Sequence, residues 1–197
     1  MSKQVLVPDC IFTVPDFLSP EECEQYISHS ENIGYKAAPI TTASGFAMIP
    51  RIRNNTRVML DDTLRAADLW QRIAPHVADP VMGCSALGVN ERLRFYRYDP
   101  GEKFDWHFDG SYQRPNGERS LLTLMVYLNE GFEGGETRFN LQAPYGYVKV
   151  APKQGMALCF IHMVQHKGAA VIQGRKYVLR SDIMYSKSED GSSDFMW

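Results

Sequence analysis

The stretch Phe104-Asp105-Trp106-His107-Phe108-Asp109-Gly110 carries the residue types most able to do chemistry. In an extended strand, side chains at i and i+2 share a face. The spacing therefore predicts a strand over 103–109, with His107 and Asp109 on one face and Phe104, Trp106 and Phe108 on the other. The aromatic face can pack a core. The imidazole and carboxylate can hold a metal and accept a third ligand, for which His166 is a candidate. Two imidazoles and one carboxylate on one side of iron(II) leave three coordination positions open for reactants. A bare His-x-Asp pair is also common where each residue only makes a hydrogen bond, so the pair needs support from the rest of the chain.

His162 competes with His166 for the third position. It lies four residues earlier, and on one strand both would share a face, but it reads better as a hydrogen-bonded residue behind the site or at its mouth. His29 and His76 fall in the helical part and read as ordinary surface or packing residues. No Ser/His/Asp or Cys/His arrangement appears, so the sequence offers no general-base or nucleophilic machinery.

The elements that must position these groups come next. Ser19-Pro20-Glu21-Glu22 reads as a helix start, with Ser19 capping, Pro20 in the first turn and Glu22 closing a capping box; the helix ends near Gly34. Asp61-Asp62-Thr63 opens a second helix that runs to about Pro75. Residues 5–18 fit an initial strand. The stretch 35–57 is rich in loop residues and carries Arg51, Arg53 and Arg57. It reads as a solvated hairpin with salt bridges, or as a flap reaching a substrate with polar or acidic groups.

Beyond residue 84 the chain is strands and turns, predicted at 91–98, 103–109, 120–129, 136–140, 146–151, 156–161, 169–173 and 176–185. Leu121 to Leu128 is apolar on both faces and should be central. The pattern predicts a mainly β, α+β chain: a jelly roll with helices flanking one side, or a barrel in its place. We read 1–186 as one domain, with 1–85 a helix-rich support and 86–186 the core, followed by a polar tail at 187–197.

The chain has 197 residues, 44% of them hydrophobic, and a net charge of −2, a balance that points away from nucleic acid and membrane surfaces. No apolar run approaches the ~20 residues of a membrane span. Met1 to Pro8 is too short and broken for a signal peptide. Cys10, Cys23, Cys84 and Cys159 form no C-x-x-C, which suits reduced thiols in a cytoplasmic protein. Whether the chain is a monomer or a homodimer is left open.

Several short motifs occur in order: Tyr98-Asp99-Pro100-Gly101, His107-x-Asp109, Tyr127-Leu128-Asn129, Gly134-Gly135-Glu136-Thr137-x-Phe139, His166-Lys167-Gly168 and Gly174-Arg175-Lys176. Together they resemble the prolyl-4-hydroxylase-like branch of the Fe(II)/2-oxoglutarate-dependent dioxygenases, over roughly residues 90–185. The resemblance implies a double-stranded β-helix with iron held by His107, Asp109 and His166, the last preferred over His162 because Lys167-Gly168 follows it and a basic residue stands ten positions on. It implies that Lys176 binds the far carboxylate of 2-oxoglutarate, with Arg180 the runner-up or a partner of Asp182. Tyr127 would give its hydroxyl to the same carboxylate and Tyr98 would help place the cosubstrate. It implies Fe(II), 2-oxoglutarate and O₂, with ascorbate as an accessory reductant.

The implied reaction converts 2-oxoglutarate to succinate and CO₂ while hydroxylating a C–H bond of a peptidyl, amino-acid or small-molecule substrate. The loops 38–57, 111–119 and 142–147, with Tyr112, Arg114, Tyr145 and Tyr147, would form its mouth. The competing readings are a non-catalytic cupin-like metal-binding module and a zinc hydrolase or isomerase on a similar barrel. Lys176 with Tyr127 separates them, since only 2-oxoglutarate demands a buried cation opposite the metal.

Overall fold

The computed structural model describes residues 2–42 and 45–187. The polar tail read at 187–197 lies, beyond Lys187, outside the described residues. Two stacked sheets dominate. The larger runs in the order Gln4–Val7, Ile11–Val14, Ala157–Ile161, Arg119–Tyr127, Lys176–Tyr185, Arg92–Tyr98, Thr56–Asp61, Lys36–Ala37. Ala86–Val89 also pairs with the end of Lys176–Tyr185. The smaller has four strands in the order Tyr147–Val150, Thr137–Asn140, Gln165–Gly168, Phe104–His107. Every pairing is antiparallel, the arrangement expected of a jelly roll.

Alternation along the central strands makes two apolar clusters. On one face of the larger sheet, Leu93, Phe95, Leu122, Leu124, Leu179 and Ile183 are buried together with Cys23, Leu69 and Ile73 from the helices. On the opposite face, Tyr96, Tyr98, Tyr127 and Val178 pack with Phe139 from the smaller sheet and Val164 from the turn that leads into it. Arg119–Tyr127 is buried along most of its length because it lies between two strands and under both clusters.

The helix Pro20–Ile33 starts as its sequence dictates. The Ser19 side chain accepts from the Glu22 N–H, and the Glu22 carboxylate accepts from the Ser19 N–H. Gly34 closes it at φ 90°, where a side chain would be strained. The helix Thr63–Ile73 is capped by Asp62, and a 3₁₀ turn over Ala74–His76 takes up Pro75. None of the described helices is long and apolar enough to cross a membrane. All four cysteines are unpaired thiols.

The fold departs from the sequence reading in four places. Within 35–57, Ile40–Thr42 and Gly45–Ala47 do pair as an antiparallel hairpin with Phe46 and Met48 exposed, but among the described residues the stretch is not held by ion pairs of its arginines: Thr56–Asp61 is a strand of the large sheet, and Arg53 is buried. The N-terminal region read as helix-rich supplies four strands of that sheet. A separate strand, Gln165–Gly168, carries His166, and the later strand is only Val171–Gln173. The strand of His107 ends at His107, so the extended run to 109 does not form.

Candidate active site

The ladder between Phe104–His107 and Gln165–Gly168 sets His107 directly opposite His166. Residues far apart in sequence thus become neighbours, with ring centroids 4.2 Å apart. Each ring is fixed from behind by a backbone carbonyl. His107 Nδ1 lies 2.7 Å from the Asp105 carbonyl and His166 Nδ1 lies 3.0 Å from that of Val164. A carbonyl can only accept, so each Nδ1 carries the proton and each Nε2 lone pair is left for a metal. Burial lowers both imidazole pKa values, that of His107 down to about 3 with the neighbouring His166 adding to the effect. Both rings are therefore neutral donors at neutral pH.

Asp109 joins them from the loop after the strand. Its Oδ1 is 3.8 Å from His107 Nε2 and its Oδ2 is 3.6 Å from His166 Nε2. One donor atom from each of the three residues lies within 4.8 Å of the others, a spacing that a single metal ion can bridge. Burial alone would raise the Asp109 carboxyl. The Arg180 guanidinium at 3.2 Å, with the surrounding imidazoles, outweighs it and holds the carboxyl well below the usual range. The group is thus ionised and ready to ligate.

Asp109 is not placed by strand alternation. Phe108 is 60% exposed rather than in a core, and Phe104 stacks on the His107 ring at 3.5 Å instead of facing away from it. Trp106 lies against Tyr147 and under Lys167. The carboxylate is held instead by Thr123, whose hydroxyl donates to Asp109 Oδ2 at 2.6 Å. Among the described residues no hydrogen bond reaches Oδ1.

His162 stands behind this carboxylate. Its Nδ1 is 3.0 Å from Thr123 Oγ1 and its Nε2 is 3.0 Å from Ser120 Oγ. Thr123 spends its only proton on Asp109, so His162 Nδ1–H donates to Thr123 and Ser120 donates to His162 Nε2. Both ring nitrogens are engaged, which leaves no lone pair for a metal. Thr123→Val removes the bond to Asp109 and is expected to weaken iron affinity about 10- to 100-fold, measured by metal titration, with folding retained. Unchanged affinity would show that Arg180 alone orients the carboxylate.

Lys176 enters from the large sheet. It is 2% exposed, its ammonium donates to the Gly135 carbonyl at 2.5 Å, and it sits 5.3 Å from the ring centres of both Tyr98 and Tyr127. Among the described residues no carboxylate pairs with it. Burial draws its pKa down to about 7. The Tyr127 hydroxyl shares a hydrogen bond with Thr137 at 2.7 Å. Lys176 lines one small cavity with Tyr98, His107, Asp109 and His166, so the cation and the metal ligands face one space.

Arg180 lies at the other end of that cavity, 3.2 Å from Asp109 and 3.0 Å from Asp182. Its ion-pair partners are these two acids, and it also donates to Thr123 Oγ1 at 3.4 Å, whereas no carboxylate pairs with Lys176 among the described residues. Arg94 also reaches Asp182, at 3.1 Å. Arg175 points outward and pairs with Asp99 at 2.5 Å. Arg114, one of the candidate mouth residues, is tied to Glu91 and Glu118; Tyr112, Tyr145 and Tyr147 are exposed. A second cavity of about 350 Å³ opens beside Asp109 and His162, with Phe108, Leu121, Ile161 and Met163 in its walls.

Two neutral imidazoles and an ionised carboxylate between the two sheets could hold one metal ion, with a buried cation facing the same space. The comparisons agree. The sequence profile of the 2OG-Fe(II) oxygenase superfamily matches residues 93–181. Probable prolyl 4-hydroxylase 10 of Arabidopsis thaliana is 29% identical over 193 residues, covering 82% of this chain and 64% of that protein. Probable prolyl 4-hydroxylase 3 of the same plant is 27% identical, covering 84% of this chain and 66% of that protein. The chain thus spans just under two thirds of the length of these two relatives.

Among solved structures, the viral collagen prolyl hydroxylase of Paramecium Bursaria Chlorella virus-1, in its 2OG complex, shares the fold with a TM-score of 0.60 at 22% identity, covering 93% of this chain and 100% of that one. The prolyl hydroxylase of Trichoplax adhaerens, solved with a hypoxia inducible factor peptide fragment, gives a TM-score of 0.68 at 15% identity, covering 96% and 89%. The chain is thus similar to the 2OG-Fe(II) oxygenase superfamily over residues 93–181 and to prolyl 4-hydroxylases over most of its length.

Proposed function

We propose that this chain is an Fe(II)- and 2-oxoglutarate-dependent dioxygenase that hydroxylates a C–H bond of a peptidyl, amino-acid or small-molecule substrate. The observation that carries the reading is the shared cavity: three metal-type donors within 4.8 Å of one another, facing a buried lysine that has no acidic partner among the described residues. A buried, uncompensated cation is costly to keep, so its presence opposite the donors calls for an anionic guest.

Iron(II) bound with 2-oxoglutarate and O₂ supplies the oxidative decarboxylation to succinate and CO₂ that drives oxygen insertion into a C–H bond. The protein's part is to bind and orient. His107 and His166 would give Nε2 and Asp109 its Oδ1. Lys176 would bind the far carboxylate of 2-oxoglutarate by a charge-assisted bond, with Tyr127 turning its hydroxyl toward the same group and Tyr98 flanking it. Thr123 and Arg180 hold the carboxylate ligand in place. The apolar walls beside Asp109 would seat the substrate and exclude water.

The two helices would support the large sheet on its outer face, since their buried residues share its outer apolar cluster. Four reduced thiols suit a cytoplasmic setting. Purified protein is expected to release succinate from 2-oxoglutarate only with Fe(II), and to lose that activity on chelation. Iron and 2-oxoglutarate binding with no turnover against broad peptide and amino-acid panels would favour the cupin-like binding module.

A further inference from the structure

Arg53 is the least explained charge in the molecule. It is 4% exposed, yet among the described residues no carboxylate pairs with it. Its Nε–H donates to Asn55 Oδ1 at 2.8 Å, while Nη2 is buried without a hydrogen-bond partner. An unsatisfied buried guanidinium nitrogen is unfavourable unless something else completes it.

Its position is well determined. The 51–55 turn is laced to the strand that carries His107. The Asp105 N–H donates to the Ile52 carbonyl at 2.7 Å, the Lys103 N–H to Asn54 Oδ1 at 2.7 Å, and Arg53 bridges Phe104. The guanidinium carbon lies 4.4 Å from the centre of the Phe104 ring and 4.6 Å from that of Tyr96. Phe104 itself stacks on His107, and both rings line the cavity of the metal-type donors. A single stacked ring, Phe104, thus separates Arg53 from the His107 imidazole.

The surroundings are strongly cationic. On the large sheet Arg57 stands opposite Tyr96, and Arg94 stands opposite Arg180. Asp109 and Asp182 answer Arg180 and Arg94. Among the described residues Arg53 and Arg57 have no acid of their own. Burial alone would raise the Tyr96 phenol, but Arg53, Arg180 and Arg94 outweigh it and draw its pKa below the ordinary value. Tyr96 and Phe104 line the cavity and Arg53 packs against both rings, so the local field favours an anion beside Tyr96, separate from the one that Lys176 would bind.

We propose that Arg53, with Tyr96 beside it and the charge of Arg57 in support, is a subsite for a carboxylate of the substrate. The chain then acts on a small acid whose carboxylate is free, in preference to an internal residue of a polypeptide. This rests on the dioxygenase reading and narrows its substrate. Planar, bidentate guanidinium recognition suits a carboxylate better than any neutral amide.

The test uses the full chain loaded with Fe(II) and 2-oxoglutarate without oxygen. L-proline and L-prolinamide, which differ by the carboxylate, are titrated by calorimetry. Wild type should bind the acid at least ~10-fold more tightly than the amide. Arg53→Gln should erase that preference while its affinity for 2-oxoglutarate stays within about twofold. Arg53→Lys should restore part of it, and circular dichroism should match wild type in both variants; if Arg53→Gln fails to fold, Arg57→Gln should still reduce the preference.

Equal binding of acid and amide by wild type, or no binding of the acid, would overturn the proposal. So would an Arg53→Gln variant that weakens 2-oxoglutarate instead, which would assign the carboxylate to the cosubstrate. A wild type that fails to bind 2-oxoglutarate would strike the dioxygenase reading, and the acid–amide comparison repeated without cosubstrate would still decide the subsite.

Discussion

Asp109→Ala is expected to abolish 2-oxoglutarate turnover and to cut iron affinity well beyond the ~10- to 100-fold carried by outer-shell partners. The carboxylate is the one anionic donor of the cluster, and it cannot be replaced by the two neutral imidazoles. The variant should still fold. Arg180 loses one partner but keeps Asp182 at 3.0 Å, so it is not stranded. Turnover is checked by succinate release and folding by circular dichroism. Activity retained in both Asp109→Ala and His107→Ala would remove the His-Asp-His cluster from the mechanism.

Lys176→Met is expected to raise the KM for 2-oxoglutarate on the order of 100-fold or more, with Fe(II) binding nearly unchanged. Removing the cation would leave the far carboxylate buried and unpaired, a loss of about 3–5 kcal/mol, or roughly 150- to 5,000-fold in affinity. The same substitution should stabilise the protein when no cosubstrate is bound. A fully buried ammonium held by one carbonyl and two aromatic faces is replaced by an apolar side chain of similar volume.

The lowered pKa gives a pH signature. Lys176 falls from 10.5 to about 7 in the folded state. Between those values the unfolded chain holds a proton that the folded chain has released, so stability without cosubstrate should rise with pH across that window. Below about pH 7 both states are protonated, and the folded state carries the full penalty. Lys176→Met should flatten this rise, read as Tm against pH. A wild-type Tm that fell steadily from pH 7 to 10 would contradict the assignment.

Much of this site was legible because its parts carry local signals. His107, Asp109 and His166 stand in short motifs, and Lys176 follows the last of them at a fixed distance. The buried run 121–128 announced a central strand through composition alone. The helix starts were legible because capping is a local contact between residues three apart.

What escaped depends on pairing between distant segments. Arg51, Arg53 and Arg57 sit among loop residues and look solvated. Arg53 is buried only because its turn is laced to residues 103–105, and Arg57 is half-buried because Thr56–Asp61 joins the strand of Tyr96. The alternation argument for Asp109 failed because the strand stops at His107, and Thr123, on a remote strand, places the carboxylate instead. His162 is the hydrogen-bonded neighbour of the site that its position suggested; only its partners, Ser120 and Thr123, were hidden, because they come from the neighbouring strand. An interrupted apolar pattern at 165–168 gave too little signal for a strand of four residues.

The central claim is that His107, Asp109, His166 and Lys176 together hold iron and 2-oxoglutarate in one cavity. The most direct test is an absorbance titration without oxygen. Fe(II)-loaded protein is titrated with 2-oxoglutarate, and the visible charge-transfer band of an iron-chelated keto acid is followed, with His166→Ala and His162→Ala in parallel. The account predicts a saturable band in wild type, its loss in His166→Ala, and its retention in His162→Ala. No band in folded, iron-loaded wild type, or a band that survives in His166→Ala and vanishes in His162→Ala, would contradict it.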